Sequence, residues 1–371
     1  MTSTNKDNTK TVLVAPLNWG LGHATRCIPI IKELLANNIK VILAGGGPVA
    51  VLLSKEFPEL ELLTLSSFPV KYPSGKKWFL LKMLWQFPAA IASIYKENAW
   101  LKKTLKNYSI NAVISDNRMG LYNKSIPCIY ITHQLLIKTG KAKWTERLAQ
   151  KIHYRFINRF TQCWVPDFKQ EELSLAGELS HPKKLPVVPV KYIGALSRFT
   201  NLSDTGNKYD YLIQLSGPEP QRSIFENLLL NQIPFIEGNF LIVRGLPGDK
   251  NVLPPVNNAT IINHLSSTEL NEAILSSKLI IGRSGYTTVM DLYKLSKKSI
   301  LVPTPGQPEQ EYLAGFLLKN NIIYTASQKD FNLKEHIQKA GSFNYAFGED
   351  DKHMDDFKFC TRDFVLSLYN Q

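Results

Sequence analysis

The chain has 371 residues, 44% apolar and 20% charged, and its 44 Lys and Arg against 31 Asp and Glu leave a net charge of +13. That length exceeds one usual hydrophobic core and suits two domains. The composition excludes a disordered, collagenous, coiled-coil or disulfide-framework protein, and the charge asks for an anionic partner: nucleic acid, an anionic membrane or an anionic small substrate.

In chain order, a polar N-terminus of ten residues precedes an apolar run at 12–17 that is too short for a signal-peptide core, so a cytoplasmic location is expected. A strand at 11–15 stops at Pro16, and a glycine-containing loop at 17–22 leads into a helical pattern with Ala24, Ile28, Ile31 and Leu35 at four-three-four spacing. Pro29 lies inside that pattern, which predicts that it falls in the first turns or kinks the helix. Further strands are expected at 40–44, 61–65, 112–115 and 126–132, with helices at 89–107 and 144–160 between them. The stretch 76–95 comes nearest to a membrane span, but Lys82, Gln86 and Pro88 break it below the ~20 apolar residues a bilayer needs.

Prolines and turn formers at 182–189 and 192–207 read as a linker region. A second cycle follows, with strands at 211–215, 240–243, 260–262, 279–281, 299–302 and 322–324 and a helix from Gln221. Strands alternating with helices predict an α/β protein with parallel sheets, here two Rossmann-like domains facing across a cleft. The cysteines Cys27, Cys128, Cys163 and Cys360 form no C-x-x-C pair, so neither structural zinc nor a disulfide framework is expected.

Ligands of open α/β sheets sit beyond the carboxyl ends of the strands, which draws attention to three loops. In Asn18-Trp19-Gly20-Leu21-Gly22-His23, Gly20 and Gly22 allow close backbone approach and the following helix offers free N–H groups to an anion. His23 is placed to act as a general base near neutral pH, and is equally compatible with capping its own loop. Arg26, one turn on, could reach a phosphate or point into solvent. The second loop, Ser216 to Arg222 with Gly217, has a small hydroxyl, a glycine and a helix start; it suits an anion or a plain tight turn. The third, Ser284-Gly285-Tyr286-Thr287-Thr288, joins hydroxyls to a helix N-terminus, with Asp291 two turns in. A carboxylate there can accept both hydroxyls of a ribose. Pro305-Gly306-Gln307-Pro308-Glu309-Gln310-Glu311 follows the next strand with amides and carboxylates suited to sugar hydroxyls.

The pair Arg283-Ser284-Gly285 to Asp291 and Pro305-Gly306-Gln307 to Gln310 resembles the donor-nucleotide motif of glycosyltransferase family 28, which includes the lipid-linked N-acetylglucosaminyltransferase of peptidoglycan synthesis. The likeness extends to Gly20-Leu21-Gly22-His23 and Leu215-Ser216-Gly217. It implies a GT-B fold, with an acceptor-side domain at 1–195, a nucleotide-sugar domain at 196–350 and a C-terminal helix at 351–371 packing back on the first domain. It implies a metal-independent transferase with no cofactor, using a nucleotide-sugar donor, commonly UDP-linked. By that analogy Asp291 holds the ribose; Ser284, Gly285, Thr287, Thr288, Ser216 and Gly217, with Arg222, surround the diphosphate; Gln307, Glu309 and Gln310 face the sugar. Arg198 and Leu265 or His264 lie near the base, and His23 activates the acceptor. The segment Gly22-His23-Ala24-Thr25-Arg26-Cys27 also resembles the Gly-His-x-x-Arg-Cys of GT-B-like UDP-sugar hydrolases, which is the alternative function. Without an Asp-x-Asp, charge on a leaving diphosphate must be met by helix N-termini and Arg or Lys.

Lysines alternate with Trp, Phe and Leu from Lys76 to Trp85, and Lys138, Lys141, Lys143 and Trp144 form a second such patch. Either is a core helix with solvated lysines or an element for an anionic membrane surface, with the protein peripheral on its inner face. Asp116 and His133, each after a strand, are expected on the acceptor side. No helix-turn-helix spacing, zinc pattern or aromatic RNA motif supports nucleic acid as a partner.

Overall fold

The computed structural model describes residues 9–66, 79–201, 206–251, 253–347 and 353–370, with residues 79–87 described as helix backbone alone. Thirteen strands form two sheets, every pairing within them parallel.

The first sheet has the order β3-β2-β1-β4-β5-β6-β7, with β1 (Thr11–Pro16), β2 (Lys40–Gly45), β3 (Glu61–Thr64), β4 (Ala112–Asp116), β5 (Cys128–Ile131), β6 (Gln162–Val165) and β7 (Val190–Tyr192). The second has the order β10-β9-β8-β11-β12-β13, with β8 (Tyr209–Gln214), β9 (Phe240–Val243), β10 (Ala259–Ile262), β11 (Ser277–Arg283), β12 (Ser299–Val302) and β13 (Tyr324–Thr325). The central strands are unbroken runs of buried residues because helices cover both faces.

The first sheet carries α1 (Leu21–Ala36), α2 (Gly47–Glu56), α3 (Phe79–Asn107) and α4 (Lys143–Ile157). The second carries α5 (Gln221–Leu230), α6 (Ser267–Leu275), α7 (Tyr286–Lys294), α8 (Pro308–Lys319) and α9 (Leu333–Ser342). The last helix, α10 (Asp356–Tyr369), returns to the first half: Arg362 Nε donates to Glu33 Oε1 at 2.8 Å, and Phe364 meets Trp164 edge-on.

Two expectations need correction. Pro29 lies deep in α1, which runs on past it to Ala36. Its neighbours Ile28, Ile30 and Ile31 are wholly buried, so packing holds a turn that loses one backbone hydrogen bond. The expected linker contains β7, whose three residues are too short to show periodicity between prolines, and β6 also escaped the pattern.

In both sheets the strand order reverses beside the first strand, between β1 and β4 and between β8 and β11. The crevices at these switch points are where ligands of such sheets bind. The loops after β1, β4, β8 and β11 therefore meet around one cavity.

Candidate active site

The cavity measures about 1380 Å³ and lies between the two sheets. At its centre two helix N-termini face each other. The chain turns from β1 through Gly20 into α1 and from β11 through Gly285 into α7, and the Thr287 hydroxyl donates to the Gly22 carbonyl at 3.1 Å. A Cβ on Gly22 would come within 3.1 Å of that hydroxyl, which would have to shift to make room. Neither cap has a side chain on the free N–H groups. Two such ends side by side present a concentrated positive potential to an anion.

His23 projects from the first turn of α1 into this space. Its Nδ1 lies 2.8 Å from Asp116 Oδ1 at the end of β4, and Asp116 is fully buried. An ionised carboxylate has only lone pairs to offer, so in the tautomer protonated at Nδ1 it accepts that N–H and the Nε2 lone pair is free. Burial alone would raise the Asp116 pKa. The Arg26 guanidinium and His23 outweigh it and hold the carboxyl at about 2. Burial first, and Arg26 next, push the His23 pKa below its ordinary value against the pull of Asp116.

Arg26 does not reach for a phosphate. It is buried, its Nε and Nη2 grip both oxygens of Asp116, Nη2 lies 2.9 Å from His23 Nδ1, and Nη1 lies 3.2 Å from His133 Nδ1. Arg26 nonetheless lines the cavity, whereas Asp116 does not and lies behind His23, so it is not placed to touch an acceptor as expected. His133 does line the cavity. Its ring stacks on Tyr286 at 4.2 Å, and its Nε2 lies 2.8 Å from Glu309 Oε1 at the start of α8.

Of the expected donor-side residues, Gly20, Gly22, Arg198, Ser216, Gly217, Arg222, Leu265, Gly285, Thr287, Thr288, Asp291, Gln307, Glu309 and Gln310 all line the cavity. Ser284 does not: it is wholly buried and its hydroxyl donates to the Gln310 carbonyl at 3.1 Å, tying the two loops together. Arg222 pairs with Glu219, just before α5, at 2.6 Å and with Glu226 at 3.3 Å, while its Nη1 makes no hydrogen bond. The Gln310 amide is likewise committed, accepting from the Thr304 backbone and donating to Gln307. Asp291 Oδ1 accepts the Ser197 hydroxyl at 2.6 Å, and burial raises its pKa to about 6 despite Arg198.

Features with no sequence signal complete the site. Arg244 bonds Glu226 at 2.7 Å and Asn263 Oδ1 at 2.9 Å, pinning the loop after β9, whose Gly245, Leu246 and Pro247 line the donor side. Buried Arg118 pairs with Glu97 of α3 at 2.8 Å and holds Asn18 at 2.9 Å, fixing the loop before His23. On the opposite side of His23 an apolar limb opens between α3 and α4, lined by Ile91, Ile94, Leu148, Ile152 and Phe156. Trp144 and Leu148 stand exposed at its mouth, beside exposed Lys141 and Lys143. The stretch from Lys76 to Trp85 lies outside the residues whose side chains are described. Among the described residues no helix is long and apolar enough to cross a membrane.

Comparison with known proteins accords with this geometry. Residues 240–357 match the glycosyltransferase family 28 C-terminal domain. An uncharacterised glycosyltransferase of Methanosarcina acetivorans is 22% identical over 307 residues, covering 79% of each chain. The calicheamicin glycosyltransferase CalG4 superposes with a TM-score of 0.62 at 11% identity, covering 98% of this chain and 99% of that one. A Phytolacca americana enzyme, UGT2, complexed with UDP-2-fluoro-glucose and pterostilbene, superposes at 0.53 with 13% identity over 97% and 95% of the two chains. The fold of this chain is GT-B, and the stretch similar to the family 28 domain lies in its second sheet and its helices.

Proposed function

We propose that this GT-B glycosyltransferase moves a sugar from a nucleotide diphosphate donor, most simply UDP-linked, to a hydroxyl on an amphiphilic acceptor, without a metal ion. One observation carries the reading: the His23–Asp116 pair faces the N-terminus of α7 across a single cavity. The acceptor hydroxyl approaches His23 from the apolar limb. Nε2 takes its proton, the oxygen forms a bond to the anomeric carbon, and the carbon–oxygen bond to the diphosphate breaks. The leaving diphosphate, which keeps the electron pair of the broken bond and gains one negative charge, sits against the N-terminal amides of α7 and the Thr288 hydroxyl, beside Thr287. Asp116 steadies the imidazolium as it forms. Arg198, His264 and Leu265 surround the base, Asp291 the ribose, and Gln307 and Glu309 the sugar.

The donor class is supported by the uncommitted helix ends and by the UDP-sugar held in the similarly folded Phytolacca enzyme. The apolar limb supports an acceptor with a hydrophobic body, because water as acceptor needs no such space. The mouth of that limb, with Trp144 and Leu148 among lysines, suits a peripheral position on an anionic lipid surface.

The test pairs donor binding with turnover. Thermal shift with UDP, dTDP, UDP-glucose and UDP-N-acetylglucosamine identifies the donor, and the radiolabelled donor is then offered with detergent-dispersed lipid extract. Label passing into the lipid fraction supports transfer, whereas free sugar released at the same rate without acceptor establishes the hydrolase instead. His23→Gln is expected to retain the donor-induced shift and to lose turnover at least about a hundredfold.

A further inference from the structure

We propose that Arg26 is the positioning residue that keeps His23 uncharged, by cancelling the carboxylate that would otherwise favour its imidazolium. The inference rests on the reading of His23 as the base and adds to it what sets that base's protonation state. A histidine beside a lone buried carboxylate is ordinarily stabilised in its charged form. Here Asp116 is gripped through both oxygens by a guanidinium that never releases its proton. Arg26 Nη2 lies 2.9 Å from His23 Nδ1, so the guanidinium charge bears directly on the ring. A second positive charge on the ring would make that approach costlier.

The ionisable groups facing His23 are Arg26 on α1, Asp116 at the end of β4, His133 after β5 and Glu309 on α8; α7 contributes only hydroxyls. Arg26 is the hub of the set. It touches Asp116, His23 and His133, and the remaining nitrogen of His133 meets Glu309 across the cleft. Burial first and Arg26 next put the His23 pKa below its ordinary value although a carboxylate is 2.8 Å away. An uncharged imidazole is the form that can accept a proton at neutral and mildly acidic pH.

The test needs no substrate. The His23 ring, labelled with 15N and assigned by its loss in His23→Gln, is titrated by NMR in the wild type, Arg26→Gln and Arg26→Lys. The expected wild-type midpoint lies below 6.5, rises by one pH unit or more in Arg26→Gln, and stays low in Arg26→Lys, which keeps the charge. A midpoint that is unmoved or falls in Arg26→Gln overturns the proposal, as does a rise in Arg26→Lys equal to that in Arg26→Gln. Should Arg26→Gln not fold, Arg26→Lys decides: a midpoint above 6.5 there is fatal to the idea. The acid limb of the kcat/KM profile with the donor found by thermal shift is expected to follow the same midpoint. If His23→Gln keeps its turnover while the titration behaves as expected, the reading of His23 as base fails and the role of Arg26 stands.

Discussion

His133 and Glu309 are 176 residues apart in sequence and meet across the cleft at 2.8 Å, joining the acceptor half to the first turn of α8. Gln134 donates to the other oxygen of the same carboxylate. Burial alone would raise the Glu309 pKa, but His133 and then Arg26 and His23 hold it below its ordinary value. A lowered folded pKa makes the contribution to stability fully present above the usual glutamate range and lost as pH falls through the lowered value. Glu309→Gln keeps the shape and removes the charge. It is expected to lower the melting temperature of the free enzyme modestly at pH 7, with the gap to wild type closing as pH falls below the ordinary glutamate range. The scattering-derived radius of gyration should increase as the cleft loosens. An equal radius in both proteins shows that the pair does not hold the halves together.

Asp116 is the group whose loss should damage fold and chemistry together. Its folded pKa of about 2 lies below the ordinary 3.8, so its stabilising contribution is complete above 3.8 and disappears as pH falls through 2. Asp116→Asn leaves Arg26 buried beside an amide, a change of the kind that costs roughly 3–5 kcal/mol. Urea unfolding at pH 7 is expected to show a loss of that order, and the gap to wild type should narrow by about 2 kcal/mol as pH falls to 2. Turnover should fall with it, since His23 then lacks the carboxylate charge that steadies its imidazolium. A variant as stable as wild type at pH 7 removes Asp116 from the centre of this network.

Much of the architecture could be read before the structure because parallel strands covered on both faces are plain apolar runs: β9 and β12 fall where the pattern put them. The three glycine-bearing loops were legible too, since close backbone approach and helix starts leave marks in the residue order. What was not legible is how cations are spent. Arg26 and the hydroxyl-bearing Ser284 occur in the right loops, but only the fold shows that Asp116 and the Gln310 carbonyl already occupy them, whereas Glu219 and Glu226, three and four residues from Arg222, were within reach of the sequence. Partners 90 residues away leave no local pattern. The apolar limb was hidden for the same reason, as its walls come from α3 and α4, and each reads alone as an ordinary amphipathic helix.

Asp291 has the opposite sign. Burial raises its pKa to about 6 from 3.8, so the folded protein binds a proton more tightly than the unfolded chain. Its charge therefore destabilises the fold progressively as pH rises from about 4 to above 6, by on the order of 3 kcal/mol. Asp291→Asn can still accept the Ser197 hydroxyl and carries no such penalty. It is expected to melt higher than wild type at pH 8 and at the same temperature near pH 4. If Asp291 also receives the ribose, the variant should gain less from saturating UDP than wild type does, in the same melting experiment. A lower melting temperature at pH 8 contradicts the burial argument, and an undiminished UDP shift removes the residue from the nucleotide site.

On the outer face of α4, Lys143, Arg147, Lys151 and Arg155 repeat every four residues and are all exposed, next to exposed Trp144 and Leu148. That spacing sets four cations in one row along the helix with an indole and a leucine beside them. Rings at the headgroup boundary and lysines over anionic lipid are the two parts of an interfacial contact, each cation near the surface adding about 1 kcal/mol. Replacing Lys143 and Arg147 by Glu inverts two of the four charges without touching a buried residue. In flotation with vesicles containing about a third phosphatidylglycerol, wild type is expected to rise with the lipid at low salt and to be released at 0.5 M. The double variant should stay at the bottom at both, and Trp144→Ala should bind with intermediate strength. Equal flotation of all three proteins places the membrane contact elsewhere, and no flotation of wild type leaves the row of cations as a solvated face.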